Sequence, residues 1–105
     1  RINWMIGLEY RTTSEQLNNI KKQIEEYIKN SEDFVKSENT MLSVKVDQFA
    51  ASSIDIRLIC FTKTKHFQEW LNVKDTLAIE IKNIVENNKA SFAFPSTSIY
   101  VEKNG

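Results

Sequence analysis

From Ile2 to Tyr10 apolar and polar side chains alternate, with Ile2, Trp4, Ile6 and Leu8 on one side and Asn3, Met5, Gly7 and Glu9 on the other. A two-residue period is that of a strand with one face against a core. Arg11-Thr12-Thr13-Ser14 breaks it. Thr12 with Glu15, or Thr13 with Gln16, then has the spacing of a capping box at a helix start. Beyond it the period changes to three and four, and Leu17, Ile20, Ile24, Tyr27 and Ile28 form one stripe of a helix reaching about Asn30. Lys21, Lys22, Glu25, Glu26 and Lys29 lie off that stripe. The pairs Lys21–Glu25, Lys22–Glu26 and Glu25–Lys29 are worth only about 0.2–0.5 kcal/mol each, so this charged face is read as solvated surface.

Residues 30–40 are polar and acidic, with Phe34 and Val35 as the anchors of a connection that touches the core once. Leu42, Val44 and Val46 alternate with Ser43, Lys45 and Asp47 as a second strand, and Phe49-Ala50-Ala51-Ser52-Ser53 reverses the chain. Ile54, Ile56, Leu58 and Cys60 alternate with Asp55, Arg57, Ile59 and Phe61 as a third, paired antiparallel to the second. Its second face turns from polar to apolar along the strand, so its far end is expected to be covered. A helix from about Phe67 to Asn88 carries Phe67, Trp70, Leu71, Leu77, Ala78, Ile81, Ile84 and Val85 as its stripe, interrupted by Lys74, whose stem can lie along apolar surface. Phe92 and Phe94 can finish a sheet. Pro95 then bars a central strand from running on, and Ile99, Tyr100 and Val101 make a second short apolar piece after it.

The order β-α-β-β-α-β predicts an α+β, ferredoxin-like sandwich: two helices on one face of a four-stranded antiparallel sheet, the last strand at an edge beside the first. Residues 1–95 form that domain, and 96–105 a short C-terminal strand and tail. At 105 residues the chain has room for one core and not two. Two glycines and one proline argue against a turn-rich all-β fold. Fourteen basic residues balance fourteen acidic ones, so no net positive field gathers nucleic acid and no charge asymmetry points to a membrane surface. One cysteine makes no intrachain disulfide, which fits a reducing compartment. No apolar run approaches the ~20 residues of a membrane span. The chain opens on Arg1, with no signal-peptide pattern after it, and is expected to be part of a longer protein.

Candidate chemistry changes little. His66 is the lone histidine, whereas structural zinc generally wants four N or S ligands. Cys60, on the apolar face of its strand, reads as a small core residue without the base a nucleophile needs. Asp47 and Asp55 flank the hairpin and could face each other, but two solvated strand carboxylates outweigh an acid/base pair. The exposed side of the first strand bears no stacking aromatics of the kind that read RNA on such sheets, and no Cys-x-x-Cys or glycine-rich phosphate loop follows it. No enzyme, no cofactor and no metal are expected.

Four segments nevertheless resemble one family. Ile6-Gly7-Leu8-Glu9-Tyr10-Arg11-Thr12-Thr13 with Glu15-Gln16-Leu17, the hairpin Phe49-Ala50-Ala51-Ser52-Ser53-Ile54-Asp55-Ile56, Trp70-Leu71-x-Val73-Lys74 with Leu77-Ala78-Ile79, and Phe92-Ala93-Phe94-Pro95 followed by Ile99-Tyr100-Val101-Glu102 occur in order. Together they resemble the cytoplasmic C-terminal domain of small-conductance mechanosensitive (MscS) channels over nearly the whole length. Ala51 departs from the pattern, standing where the family often has Asp.

The resemblance implies a homoheptameric, tension-gated channel of the bacterial cytoplasmic (inner) membrane, protecting against osmotic shock. Its pore helices would precede Arg1, and this domain would form part of a cytoplasmic cage. The last strand would join those of the other subunits in a barrel, which makes Thr97, Ile99, Tyr100, Val101 and Glu102 the oligomer interface and Pro95 the point of chain redirection. The residues alone leave Ile99–Val101 open between that role and an extension of the domain's own sheet. The competing reading of the chain is a stand-alone ferredoxin-like domain that binds a small regulatory ligand.

Overall fold

The structure is a computed structural model that describes residues 1–36 and 42–94. Its elements run β1 (Ile2–Leu8), α1 (Ser14–Asn30), β2 (Ser43–Phe49), β3 (Ile54–Cys60) and α2 (Phe67–Asn87). The strands form an antiparallel sheet in the order β1-β3-β2, so β3 is central, with Ile2 opposite Cys60 and Leu8 opposite Ile54. Alternation does what the sequence pattern asks of it. Ile2, Ile6 and Leu8 of β1 and Ile56, Leu58 and Cys60 of β3 share one core with Ile20, Ile24 and Ile28 of α1 and Val73, Leu77, Ile81, Ile84 and Val85 of α2. Both helices therefore pack on the same face of the sheet. Phe34, in the α1–β2 connection, is buried and bridges Thr62, and Leu42 at the far end of that connection packs against the core.

The helix ends follow local chemistry. Of the two possible capping boxes the chain uses the second: Thr13 Oγ1 accepts from the Gln16 N–H at 3.1 Å, and Gln16 Oε1 accepts from the Thr13 N–H at 2.8 Å. Thr12 instead donates its hydroxyl back to the Glu9 carbonyl at 2.6 Å and is buried. At the other end of α2, the Lys89 N–H bonds the Glu86 carbonyl at 3.0 Å and the Ala90 N–H bonds that of Val85 at 3.1 Å. That double closure is a Schellman motif, and it puts Lys89 at φ 62, a left-handed position that glycine usually fills.

Two expectations need correction. The apolar stripe of α2 is rotated from the one read in the sequence: Val73 is buried, while Phe67, Leu71 and Ala78 are exposed. The reason is rotational: Val73, Leu77, Ile81 and Ile84 follow three- and four-residue steps along one face, and Leu71 and Ala78 fall beside it. Lys74 is half-buried, with its ammonium 4.1 Å from the centre of the Trp70 ring, which suits a stem lying along apolar surface. None of the three α1 ion pairs closes, which suits interactions worth so little; Lys82–Glu86 is the i,i+4 pair that does.

Finally, β2 runs on to Phe49 by means of an irregularity between Val46 and Gln48 that leaves Asp47 out of register. Ile59, on the face away from the helices, is buried between the register positions of Asn3 and Ser43, as the apolar turn of that face suggested.

Candidate functional site

Three of the four family-like segments meet at one end of the sheet. Leu8, fully buried, forms an antiparallel bridge to Phe92. Around it the Glu9 N–H donates to the Ser91 carbonyl at 3.1 Å, and the Ala93 N–H donates to the Gly7 carbonyl at 3.0 Å. The left-handed turn at Lys89 aims the chain into this position, and two side chains hold the turn. Gln16 Nε2 donates to the Asn88 carbonyl at 2.8 Å, and Asn88 Nδ2 donates to Gln23 Oε1 at 3.0 Å and to the Ile84 carbonyl at 2.8 Å. Gln16 thus caps α1 with one end of its amide and fastens the end of α2 with the other.

The β2–β3 turn closes over the same place. The Ala50 N–H bonds the Ser53 carbonyl at 2.8 Å, and the Tyr10 hydroxyl donates to the Ala50 carbonyl. Tyr10 stacks on Phe49 with ring centres 6.4 Å apart and planes 23° apart. On the other face, Ser53 Oγ donates to Asp55 Oδ1 at 2.6 Å and Gln48 Nε2 to Asp55 Oδ2 at 2.8 Å. The Ser53 and Gln48 hydrogen bonds hold the Asp55 carboxyl below its usual 3.8; burial opposes them and Arg57 assists. Gly7, paired with Asp55, leaves the space: a Cβ there would stand 3.4 Å from Asp55 Oδ1 and from the Ser53 Cβ.

A pocket of about 480 Å³ opens between the Ala50–Ser53 turn and Phe92–Phe94, above Gly7, and its lining holds no charged residue. Beside it Phe94 is 80% exposed and Phe49 73%. The lining is small and aromatic side chains, which could receive an apolar group without stripping a charge of water.

The candidates for chemistry come apart. Asp47 and Asp55 do not pair: Asp47 Oδ2 lies 3.5 Å from Arg57 Nη2, which leaves Asp55 to Ser53 and Gln48. Arg57 also donates to Asn3 Oδ1 at 2.8 Å. Cys60 is buried, and desolvation pushes its thiol up to about 11, so little thiolate forms at neutral pH. His66 occupies the N-cap of α2 without a side-chain cap bond. Among the described residues no three of His, Cys, Asp and Glu gather closely enough to hold a metal ion. A polar groove between the helices, lined in part by Glu26, Tyr27 and Glu80, is open to solvent; burial first, then Glu80 and Asp33, raises the Tyr27 phenol.

Pro95, Thr97, Ile99, Tyr100, Val101 and Glu102 lie outside the described residues. The sequence reading missed Tyr10 and Phe49 as surface residues. An aromatic ring inside a small-residue reversal, with no helix left to cover it, was the available signal.

The fold is α+β, and at one end of its sheet an uncharged pocket lies among exposed aromatic rings. The comparisons give that class its family. Residues 2–92 match the C-terminal domain of the mechanosensitive ion channel MscS, so the chain belongs to the MscS family, which is not a family of enzymes. It is 37% identical over 103 residues to an uncharacterized MscS family protein of Aquifex aeolicus, a match covering 98% of this chain and 27% of that protein. It is 36% identical over 102 residues to the low conductance mechanosensitive channel YnaI of Escherichia coli, covering 97% of this chain and 29% of YnaI. The chain thus spans less than a third of these relatives. The crystal structure of Helicobacter pylori MscS in its closed state superposes with a TM-score of 0.62 at 24% identity, covering 90% of this chain and 35% of that one, and supports the fold. Among the described residues no helix is long and apolar enough to cross a membrane.

Proposed function

We propose that this domain is a cage-wall and assembly element of a tension-gated channel on the cytoplasmic side of a bacterial inner membrane. The full-length subunits assemble as a homoheptamer that releases solutes on osmotic downshock. In this reading the sheet is ferredoxin-like, with Phe92–Phe94 as the stub of a fourth strand on the outer edge of β1. Residues 96–105 then serve assembly, with Thr97, Ile99, Tyr100, Val101 and Glu102 as the strand shared between subunits.

The observation that carries the reading is the docking of Phe92 on Leu8. It fixes the chain's last described segment against the core, while Phe94, two residues on, is already largely exposed. A chain led rigidly to the surface beside an uncharged packing pocket suits a handover to neighbouring subunits. Electrophysiology of the full-length protein in membrane patches tests the function. The expected result is current that rises with applied tension; a protein that assembles and inserts but stays silent under tension refutes it.

A further inference from the structure

We propose that Gln16 is a positioning residue for assembly: its Nε2, donating to the Asn88 carbonyl, sets the direction in which the chain leaves α2 toward the segment shared between subunits, and a neutral amide is required there. The inference rests on the assembly reading above and names the side chain through which this domain would serve it.

The partners dictate the residue type. A capping box asks only for an acceptor three residues after the cap, and Glu supplies one as well as Gln does, with a charge that suits the positive end of the helix. Position 16 meets a second demand. On one side the Thr13 N–H needs an acceptor, at 2.8 Å; on the other the Asn88 carbonyl needs a donor, also at 2.8 Å. Both partners are backbone groups, so neither can exchange its role. A primary amide carries one group of each kind. A carboxylate would keep the cap and set an oxygen against the Asn88 carbonyl. Arg11, bonded to Glu9 at 2.7 Å, and Lys89 line the same cleft as Gln16 and would attract that carboxylate, but attraction supplies no donor to the carbonyl.

The turn after α2 hangs on this bond. Its own closure stays within the helix, where the Asn88, Lys89 and Ala90 amides bond carbonyls of Val85, Ile84 and Glu86. None of these ties the turn to α1. Among the described residues two hydrogen bonds do so: Gln16 to the Asn88 carbonyl, and the Asn88 side chain to Gln23 at 3.0 Å. The held carbonyl directly precedes Lys89 at φ 62, so a rotation there swings all that follows, including Ser91 and Ala93, which dock on Glu9 and Gly7. A cleft of about 390 Å³ opens between the start of α1 and Lys89–Ser91, so space and not close packing lies beside the turn.

The test uses the full-length chain, unsubstituted and as Gln16→Glu or Gln16→Lys, because the two variants divide the amide between them. Glu keeps an acceptor for Thr13 and loses the donor; Lys keeps a donor for Asn88 and loses the acceptor. Hydrogen exchange read by mass spectrometry follows the Glu9 and Ala93 amides as reporters of the docked chain, and the Gln16 and Leu17 amides, which bond Thr13, as reporters of the cap. Gln16→Glu should speed exchange of the docked chain roughly tenfold and leave the cap unchanged, and subunit exchange between differently tagged oligomers should quicken by about the same factor. Gln16→Lys should loosen the cap while the docked chain and subunit exchange stay within about threefold of the unsubstituted protein. A Gln16→Glu form that keeps the chain docked, or frees it without quickening subunit exchange, overturns the proposal and leaves the assembly reading standing. So does a Gln16→Lys form that frees the chain as much as Gln16→Glu does. Should Gln16→Glu also speed exchange throughout β3, the domain itself has opened and Gln16→Lys decides: a docked chain over a loosened cap supports the proposal, and a freed chain overturns it. Monomers from the unsubstituted protein overturn the assembly reading and the positioning role together.

Discussion

Replacing Asp55 with Ala tests whether the hairpin is held by a carboxylate or only by its backbone. Asp55 is 7% exposed and accepts hydrogen bonds from Ser53 at 2.6 Å and Gln48 at 2.8 Å. A hydrogen bond to a charged group contributes about 1.5–3 kcal/mol. Ser53 is only half-buried and Gln48 is exposed, so both recover part of that from water, and the expected loss at pH 7 is roughly 2–3 kcal/mol. For a domain of this size that lowers Tm by about 10 °C.

The sign with pH follows from the depressed carboxyl. The stabilisation is fully present above the usual 3.8 and is lost as pH falls through the lower, folded-state value. Thermal unfolding followed by tryptophan fluorescence, for the native chain and Asp55→Ala from pH 7 to pH 2, reads the difference directly. The two curves should converge at the acid end. A Tm loss under about 1 °C at neutral pH, or a difference that persists undiminished at pH 2, refutes the reasoning.

Lys89→Gly should stabilise the domain by about 0.5–1 kcal/mol in the same unfolding assay, since glycine takes φ 62 without the steric cost a lysine bears. The Cys60 thiol should react with a disulfide reagent at pH 8 at least a hundredfold more slowly in the native chain than in urea, as its burial and raised pKa require. Ile99→Asp with Val101→Asp should leave this domain's circular dichroism unchanged while dispersing the full-length oligomer by size-exclusion chromatography. Unfolding of the isolated domain would instead assign those residues to its own core.

The elements were largely legible because each carries its own period. The alternation of β1 and the Thr13–Gln16 box are local properties, and the structure keeps both. What sequence misplaced depends on dimensions that no single element contains. Leu71 and Val73 are both apolar, and only the face that α2 turns toward the sheet decides that Val73 is the one covered. Asp47 and Asp55 appear symmetric about the reversal until the slip near Val46 assigns one to Arg57 and the other to Ser53 and Gln48. The exposed pair Tyr10 and Phe49 was hidden for the opposite reason: each is an ordinary core residue type, and their exposure follows from how little domain remains at that end to cover them.

The Leu8–Phe92 bridge joins residues 84 positions apart, from the first strand and from after the last helix. Contacts of such long sequence separation form late in folding, since nearly the whole loop between them must be ordered first. Within this domain Leu8 is made well before Phe92, so the edge of β1 that Phe92 bridges waits until the domain is almost complete. The bridge therefore works as a clock. On the assembly reading proposed above, Phe94 gains its fixed position only after β1, both helices and the hairpin are in place, which orders each subunit's life as folding first and association second.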